Sequence, residues 1–331
     1  QNIRTKEALR LYLLQCSQWY QDADYRLPDQ LSMIEPHKVA APQSKQAFFH
    51  LLVEIREQKV EIMSIGKGPQ LLIIPGFGIS GISLIHQLAE LSKYFQLLVI
   101  HLPGSGFSDG MTDLLYPPTT AMTIIEVLDA LSISEPIHAL GFSFGGLIAQ
   151  ELVKQYPERF RTLTLGCSFT RTDSADTSEQ SLEEKFKADF DSMRNADKYY
   201  ELYLASKCVN KSAFEYLPKA SLSSYSTVPE INSIEIPVLI ISGRMDAVVD
   251  YHESEIIAEH VPRAVHVRFL QGGHCVNITN PSLFNQLVKL FLQENGFVAS
   301  DHWLLLTDNH PIELLKDCAI EEAVISGGSD R

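Results

Sequence analysis

Short, continuously apolar stretches separated by helical patterns set the strongest limit on the fold of this chain. Three of these stretches, 71–74, 97–100 and 238–241, contain only leucine, isoleucine and valine. Strands of this kind are buried on both faces, as in a parallel sheet that helices cover. Apolar residues recur at helical spacing between them, in 119–131 and 147–156. The order strand, helix, strand therefore predicts an α/β fold with right-handed crossovers.

Eight stretches in all have the length and the β-branched content of strands. The first two alternate polar and apolar residues and are close enough to form a hairpin. We therefore expect a mostly parallel eight-stranded sheet flanked by helices. The predicted strands cover 48–55, 60–65, 71–74, 97–100, 137–140, 162–165, 238–241 and 265–270.

One long interval, 168–234, interrupts this alternation with polar, acidic and aromatic residues at helical spacing. A structureless loop of that length is unusual within a compact domain, so an inserted helical cap is predicted. Near the end of the chain, Pro311 is expected to open a helix. The predicted organisation is an N-terminal helical extension (1–47), an α/β core (48–167 and 235–295), a helical cap or lid (168–234) and a C-terminal extension (296–331).

The charge balance argues against nucleic acid as a partner. The chain has 27 basic and 41 acidic residues, a formal net charge of −14. No basic patch stands out, so a broad surface for a polyanion or an anionic lipid is not expected. No apolar run reaches the roughly 18–20 residues that span a bilayer, and the start of the chain lacks a secretory signal. We expect no transmembrane segment.

The cysteines predict neither a disulfide framework nor a zinc site. Five are present, an odd number, and they are widely spaced with no CxxC pair. Reduced thiols in the cytoplasm are the simplest interpretation. HExxH pairs, EF-hand spacing and a P-loop lysine are also missing, so we expect no metal and no cofactor.

The segment 141–146 reads Gly-Phe-Ser-Phe-Gly-Gly and lies between the apolar stretch 137–140 and a helical pattern that starts near Leu147. It is a G-x-S-x-G motif in a strand, turn and helix context. Glycines let strand and helix approach closely around a strained turn. Ser143 is therefore predicted to project its hydroxyl above the sheet as a nucleophile.

A serine hydroxyl is a weak nucleophile at neutral pH and needs a general base, which an acid orients. Asp246 follows the predicted strand 238–241, and His274 follows 265–270 after two glycines. Open α/β sheets place their sites at these carboxyl ends of strands. We predict His274 as the base and Asp246 as its orienting acid. Asp250 is the nearest competitor for the acid, but it is better placed to cap the next helix.

Together these motifs resemble those of the α/β-hydrolase superfamily, in its lid-bearing branch. The resemblance covers about 48–295 and includes the Leu-Pro-Gly turn at 102–104. It implies an oxyanion hole formed by the backbone N–H groups of Phe144, after the nucleophile, and Phe77, in the loop after the third strand. Gly76 and Phe142 are expected to line the substrate pocket.

This chain departs from the family pattern at two positions. Pro75 stands where relatives often have histidine, which removes a side-chain hydrogen bond but leaves the Phe77 donor intact. His101 stands where relatives often have aspartate, and a structural role is favoured for it. A serine at 143, rather than aspartate, argues against the haloalkane dehalogenase and epoxide hydrolase branches.

The resemblance implies a serine hydrolase that forms an acyl-enzyme from a small-molecule ester or thioester. The aromatic residues Phe77, Phe142 and Phe144 favour a mainly apolar acyl group. Carboxylesterase, thioesterase, lactonase and carbon–carbon bond hydrolase all stay open. Two further hypotheses stay open as well. One is a hydrolase or thioesterase domain of a larger biosynthetic system, with a carrier protein or fused domain as partner, and the other is a small-molecule receptor.

Overall fold

In the computed structural model, two stretches of chain form most of the described structure. They are 48–172, except 80, 107 and 110–115, and 225–295, except 229. Residues 184–185 and 312–316 are also described. The predicted helix in 1–47, most of the predicted cap and the segment around Trp303 lie outside the described residues, so the predicted domain boundaries stay predictions.

The described strands form one mostly parallel sheet, and all eight predicted strands are confirmed. Its order is β1-β2-β4-β3-β5-β6-β7-β8-β9, with antiparallel pairs at β1–β2, β2–β4 and β8–β9. The five pairs from β4 to β8 are parallel. The strands are β1 Phe48–Ile55, β2 Gln58–Ile65, β3 Gln70–Ile74, β4 Gln96–Ile100, β5 Ile137–Phe142, β6 Phe160–Gly166, β7 Val238–Gly243, β8 Ala264–Phe269 and β9 Ile312–Lys316.

Helices connect the parallel strands, and both predicted helical patterns are confirmed. The sequence 119–131 falls in α2 except for its last residue, and 147–156 falls in α3 except for its last residue; α2 starts at a proline. Among the described residues, no helix is both long and apolar enough to cross a membrane. The helices are α1 Ile85–Leu91, α2 Pro117–Ala130, α3 Phe144–Gln155, α4 His252–His260, α5 Val276–Thr279 and α6 Pro281–Gln293.

The core has two apolar clusters on the two faces of the sheet. On β3, Leu72 and Ile74 join one cluster, whereas Leu71 and Ile73 join the other. Side chains alternate between the faces of a strand, so the strand is buried on both sides. The first cluster includes buried residues of α2, α3 and α4, and the second those of α1 and α6. This packing explains the continuously apolar stretches.

The helix predicted to begin at Pro311 is wrong, because Ile312–Lys316 forms strand β9. It pairs antiparallel with β8, from Phe269 opposite Ile312 to His266 opposite Lys316. The outer edge of β8 presents unpaired backbone donors and acceptors, and pairing with a ninth strand satisfies them. A proline can precede such a strand as readily as it opens a helix.

The two ends of the chain segment predicted as the cap lie side by side. Arg171 and Ser226 form an antiparallel bridge. Thr227 N donates a hydrogen bond to Thr170 O at 2.8 Å, and Thr172 N donates to the carbonyl of residue 225 at 3.0 Å. Residues 225–227 therefore lie beside the segment that follows the carboxyl end of β6, before the chain continues to the start of β7 at Val238.

Candidate active site

Ser143 occupies a strained turn between β5 and α3. Its φ of 52° and ψ of −122° lie outside the regions that residues with a side chain usually adopt. Ser143 N donates a hydrogen bond to Gly166 O at 2.8 Å, and Ser143 O accepts one from Gly146 N at 2.8 Å. These bonds hold the turn in a conformation that the isolated residue would avoid.

Two glycines of the motif are required by close backbone contacts. A Cβ on Gly141 would lie 2.5 Å from Gly145 O, and one on Gly145 would lie 2.2 Å from Ile74 O and 2.3 Å from Pro75 O. All three distances are shorter than real Cβ contacts allow. Strand β5, helix α3 and the loop after β3 therefore meet at a spacing that only glycine permits.

His274 lies next to the serine, in the loop after β8. Its Nε2 is 3.0 Å from Ser143 Oγ. The histidine is 1% exposed, and its ring packs edge to face against Phe142 with the ring centroids 5.7 Å apart. Packing thus holds the imidazole in the orientation that reaches the serine hydroxyl.

Asp246 contacts the other side of the same ring, with Oδ2 2.7 Å from His274 Nδ1. Its Oδ1 accepts hydrogen bonds from Val248 N and Val249 N, each at 2.8 Å. Two backbone donors therefore fix the carboxylate, which leaves Oδ2 for the histidine. The three residues that sequence reasoning selected are brought together in one hydrogen-bonded chain.

Asp250, the competing acid, lies at the start of α4 instead. Its Oδ1 accepts a hydrogen bond from His252 N at 3.0 Å and is 2.7 Å from His252 Nδ1. The backbone bond, followed by the bond to the His252 ring, lowers the pKa of Asp250. This carboxylate is exposed and is engaged with the helix start rather than with His274.

Cys167 is a neighbour of this chain that sequence reasoning did not select for the site. Its Sγ and one ligand atom each of Asp246 and His274 lie within 4.8 Å of one another. The thiol is buried and lies 3.8 Å from Gly273 O, as a weak donor. Three such groups could hold a metal ion, but the aspartate and histidine are engaged in the bonds described above. We interpret the thiol as packing behind the histidine loop.

The two residues predicted to supply backbone donors lie close together. Phe144 begins α3, and the first N–H groups of a helix have no partner within it. The rings of Phe77 and Phe144 pack edge to face with their centroids 5.9 Å apart. Both peptide groups thus belong to the segments that flank Ser143, which is where donors for an oxyanion would be needed.

A cavity of about 50 Å³ lies beside Ser143 and His274. Gly76 borders it closely, since a Cβ at this glycine would lie 3.4 Å from Ser143 Cβ. The residues predicted for the pocket, Gly76 and Phe142, both line the cavity. Its wall is largely apolar and includes Phe77, Ile79, Phe142, Val248 and Ile278.

Six wall residues were not predicted from the sequence, namely Ile79, Ser83, Val248, Cys275, Asn277 and Ile278. Ser83 lies six residues after Phe77, and the other five lie within four residues of a predicted site residue, in segments that follow β3, β7 or β8. Their closeness to the motifs in the sequence indicated that these segments lie near the site, but it did not indicate which of their side chains face the cavity.

His101 has the structural role that the sequence favoured. It is 2% exposed, and its Nε2 accepts a hydrogen bond from Gly81 N at 2.8 Å. Its Nδ1 lies 3.5 Å from Glu61 Oε2, and that glutamate is buried as well. Gly81 begins the short turn that follows the loop of Gly76 and Phe77, so His101 anchors the far end of this loop.

Two further histidines are buried within the sheet. His138 Nδ1 is 2.8 Å from Thr162 Oγ1, and His266 Nε2 is 2.7 Å from Ser242 Oγ. Burial lowers the pKa of His138 to about 4 and that of His266 to about 3. Both imidazoles are therefore neutral at pH 7, and each bonds to a hydroxyl of the adjacent strand.

Comparisons with known proteins agree with this architecture. The family described as alpha/beta hydrolase fold matches residues 69–202 and 210–281. The chain is 27% identical over 258 residues to polyketide synthase ThaQ of Burkholderia thailandensis, which covers 71% of this chain and 12% of that protein. It therefore spans only a small part of the length of ThaQ.

Two further similarities extend over whole relatives. The chain is 23% identical over 257 residues to the pimeloyl-[acyl-carrier protein] methyl ester esterase of Aeromonas hydrophila, covering 70% of this chain and 99% of that enzyme. A thermophilic esterase from Thermogutta terrifontis has a similar structure, with a TM-score of 0.65 at 17% identity, over 76% of this chain and 100% of the esterase. The family match alone includes more than half of the chain. The protein belongs to the α/β-hydrolase superfamily.

Proposed function

We propose that the protein hydrolyses an ester or thioester of a mainly apolar acyl group, with Ser143 as nucleophile, His274 as general base and Asp246 as the acid that orients it. The observation that carries this proposal is the hydrogen-bonded chain. Ser143 Oγ is 3.0 Å from His274 Nε2, and His274 Nδ1 is 2.7 Å from Asp246 Oδ2. These distances suit proton transfer from the hydroxyl to the imidazole.

Acylation begins when Ser143 Oγ attacks the acyl carbonyl carbon and His274 Nε2 accepts the hydroxyl proton. The carbonyl oxygen becomes an oxyanion, and the N–H groups of Phe77 and Phe144 are the proposed donors to it. Collapse of the tetrahedral intermediate breaks the bond from the carbonyl carbon to the leaving oxygen or sulfur. His274 gives its proton to that atom, and the alcohol or thiol departs.

Deacylation repeats the sequence with water as the nucleophile. His274 removes one proton from the water while the water oxygen bonds to the acyl carbon. The bond to Ser143 Oγ then breaks, the serine regains its proton from His274, and a carboxylic acid leaves. In both halves Asp246 stabilises the transient imidazolium and keeps Nδ1 protonated.

The apolar wall of the cavity supports a mainly apolar acyl group. Phe77, Phe142 and Ile278 line the cavity beside the serine. An acyl chain in this place removes apolar surface from water, which contributes roughly 25 cal/mol for each Å² that is buried.

Fluorophosphonate labelling tests the nucleophile, and a panel of p-nitrophenyl esters and acyl thioesters of varied chain length tests the substrate class. Wild-type protein should be labelled and should turn over part of the panel, whereas Ser143→Ala should do neither. Ser233→Ala, at an exposed serine, is the matched control and should behave as wild type. Wild-type protein that is inert to the probe and to the whole panel would contradict the proposal and favour the receptor hypothesis.

We infer a carrier-bound acyl group as a second candidate substrate. The similarity to a segment of a polyketide synthase and to an esterase named for an acyl-carrier protein substrate favours it. The test compares one acyl group as its carrier-protein thioester and as its N-acetylcysteamine thioester. A clearly higher kcat/KM for the carrier-bound form supports this candidate, and equal values contradict it.

A further inference from the structure

A buried polar residue, Asn277, lines the largely apolar cavity. It lies on α5, three residues after His274 in the chain, and its side chain is 2% exposed. Asn277 and Ser143 border the same cavity of about 50 Å³. Asn277 has no role in the proposed mechanism, and an apolar side chain would match the largely apolar wall better.

Neighbouring groups fix the orientation of the Asn277 amide. Asn285 Nδ2 donates to His86 O at 2.9 Å, which leaves Asn285 Oδ1 to accept from Gln87 Nε2 at 3.0 Å. Gln87 Nε2 also donates to the backbone Asn277 O at 2.9 Å. Gln87 Oε1 is thereby an acceptor, and Asn277 Nδ2 donates to it at 3.2 Å and to Ser83 O at 3.3 Å. If the Asn277 amide were reversed, its Oδ1 would face two other acceptors, Gln87 Oε1 and Ser83 O.

The Asn277 Oδ1 atom is left without a partner in this arrangement. It is buried, and no donor lies within hydrogen-bond distance of it among the residues that the structure describes. Native proteins pair the great majority of their buried polar atoms, so an unpaired acceptor on a residue that borders a binding cavity calls for a donor beyond the described residues. Both Nδ2 hydrogens are already engaged, so Oδ1 is the atom of this amide that remains for such a donor.

We propose that Asn277 Oδ1 accepts a hydrogen bond from a hydroxyl or N–H group of the substrate, and that the substrate is an acyl ester or thioester bearing such a donor near its carbonyl. This inference rests on the proposed function. The donor is placed near the carbonyl because Ser143 and Asn277 border the same cavity. A hydroxyacyl group would pair the acceptor, whereas the matching deoxy acyl group would leave it buried and unpaired.

The test measures kcat/KM for the N-acetylcysteamine thioesters of butyrate, 2-hydroxybutyrate and 3-hydroxybutyrate. Wild-type protein should prefer at least one hydroxylated substrate over butyrate by about 10- to 100-fold. Asn277→Leu, similar in shape but without an acceptor, should reduce this ratio to near one. The ratio of the two kcat/KM values does not depend on the fraction of active protein, so the comparison stays valid even if part of the variant protein is misfolded.

The matched control is Asn285→Leu, which breaks the same network at a residue on α6. This variant should retain the wild-type preference even if it loses stability, because Gln87 Nε2 still donates to Asn277 O and so keeps Gln87 Oε1 as the acceptor for Asn277 Nδ2. Equal kcat/KM values for all three substrates in wild-type protein, or a preference that persists in Asn277→Leu, would overturn the inference. A preference lost equally in both variants would also overturn it, because the network alone would then explain the effect.

A binding measurement separates failure of this inference from failure of the proposed function. The shift in Tm of Ser143→Ala protein is compared in butyrate, 2-hydroxybutyrate and 3-hydroxybutyrate at equal concentration. A larger Tm shift with a hydroxylated acid, which disappears in the double variant with Asn277→Leu, supports Asn277 Oδ1 as an acceptor even if no thioester is hydrolysed. If all three thioesters are hydrolysed with equal kcat/KM, the role of Asn277 is contradicted but the proposed hydrolase function is not.

Discussion

The protein should lose stability on acidification through His266, a histidine inside the sheet. His266 lies on β8 and is fully buried, with its Nε2 2.7 Å from Ser242 Oγ on β7. Burial, and to a lesser degree the positive charge of Arg268, lowers the pKa of His266 from 6.5 to about 3. The unfolded chain therefore binds a proton at this residue at a much higher pH than the folded protein does.

The direction and the size of the effect follow from these two pKa values. Between pH 6.5 and about pH 3, His266 is protonated in the unfolded state only, so the free energy of unfolding falls as the pH falls. The slope approaches about 1.4 kcal/mol per pH unit. At pH 5, roughly 1.5 units below the ordinary pKa, the loss is about 2 kcal/mol. Well above the ordinary pKa the residue is neutral in both states and contributes nothing.

Urea unfolding at pH 7.5 and at pH 5 measures this loss in wild-type protein, in His266→Gln and in His260→Gln. His266→Gln cannot titrate but keeps a polar group beside Ser242, so its free energy of unfolding should fall by about 2 kcal/mol less than that of wild type. His260 is exposed at the end of α4 and serves as the control, which should follow wild type. An equal fall in wild type and in His266→Gln would refute the reasoning, since the proton would then bind elsewhere.

Two further substitutions test the proposed site. In Asp246→Asn, the backbone donors should keep the remaining oxygen at the Oδ1 position, so the new NH2 group faces His274 Nδ1. His274 must then carry its proton on Nε2, which prevents it from accepting the serine proton. We expect kcat to fall by roughly 10³–10⁴-fold with Tm nearly unchanged. In Gly145→Ala, the new Cβ would meet Ile74 O at 2.2 Å and Pro75 O at 2.3 Å. It should destabilise the protein by about 1–3 kcal/mol in urea unfolding and also lower kcat/KM, because the loop of Phe77 must move. Unchanged kinetics in either variant would contradict the roles given to these residues.

The sequence predicted the central sheet well because the signal for it is local. A strand such as 238–241 shows its burial on both faces in its own residues, whatever the rest of the chain does. The meeting of Ser143, Asp246 and His274 was also predictable, since parallel strands bring their carboxyl ends to one edge of the sheet. Once the strands are assigned, topology alone places these three residues near one another.

Features that depend on distant partners could not be predicted in this way. Strand β9 is five residues long, and only the open edge of β8 selects a strand over the helix that Pro311 suggested. Asn277 gave no signal either, because a lone asparagine after a motif is common in loops and helix starts. Its significance comes from Gln87, which lies 190 residues earlier in the chain and fixes the amide orientation.

The position of the loop that carries the proposed donor Phe77 is set by packing from two sides. On one side, Gly145 lies so close to Pro75 O that the start of the loop rests directly on the first turn of α3. On the other side, His101 accepts the hydrogen bond of Gly81 N at 2.8 Å and so holds the end of the loop to β4. Both positions that depart from the family pattern, Pro75 and His101, thus lie at contacts that position the two ends of this loop. Pro75 has no hydrogen-bonding side chain, so the placement of the Phe77 N–H depends on the packing of the loop start on α3 and on the hydrogen bond of Gly81 to His101.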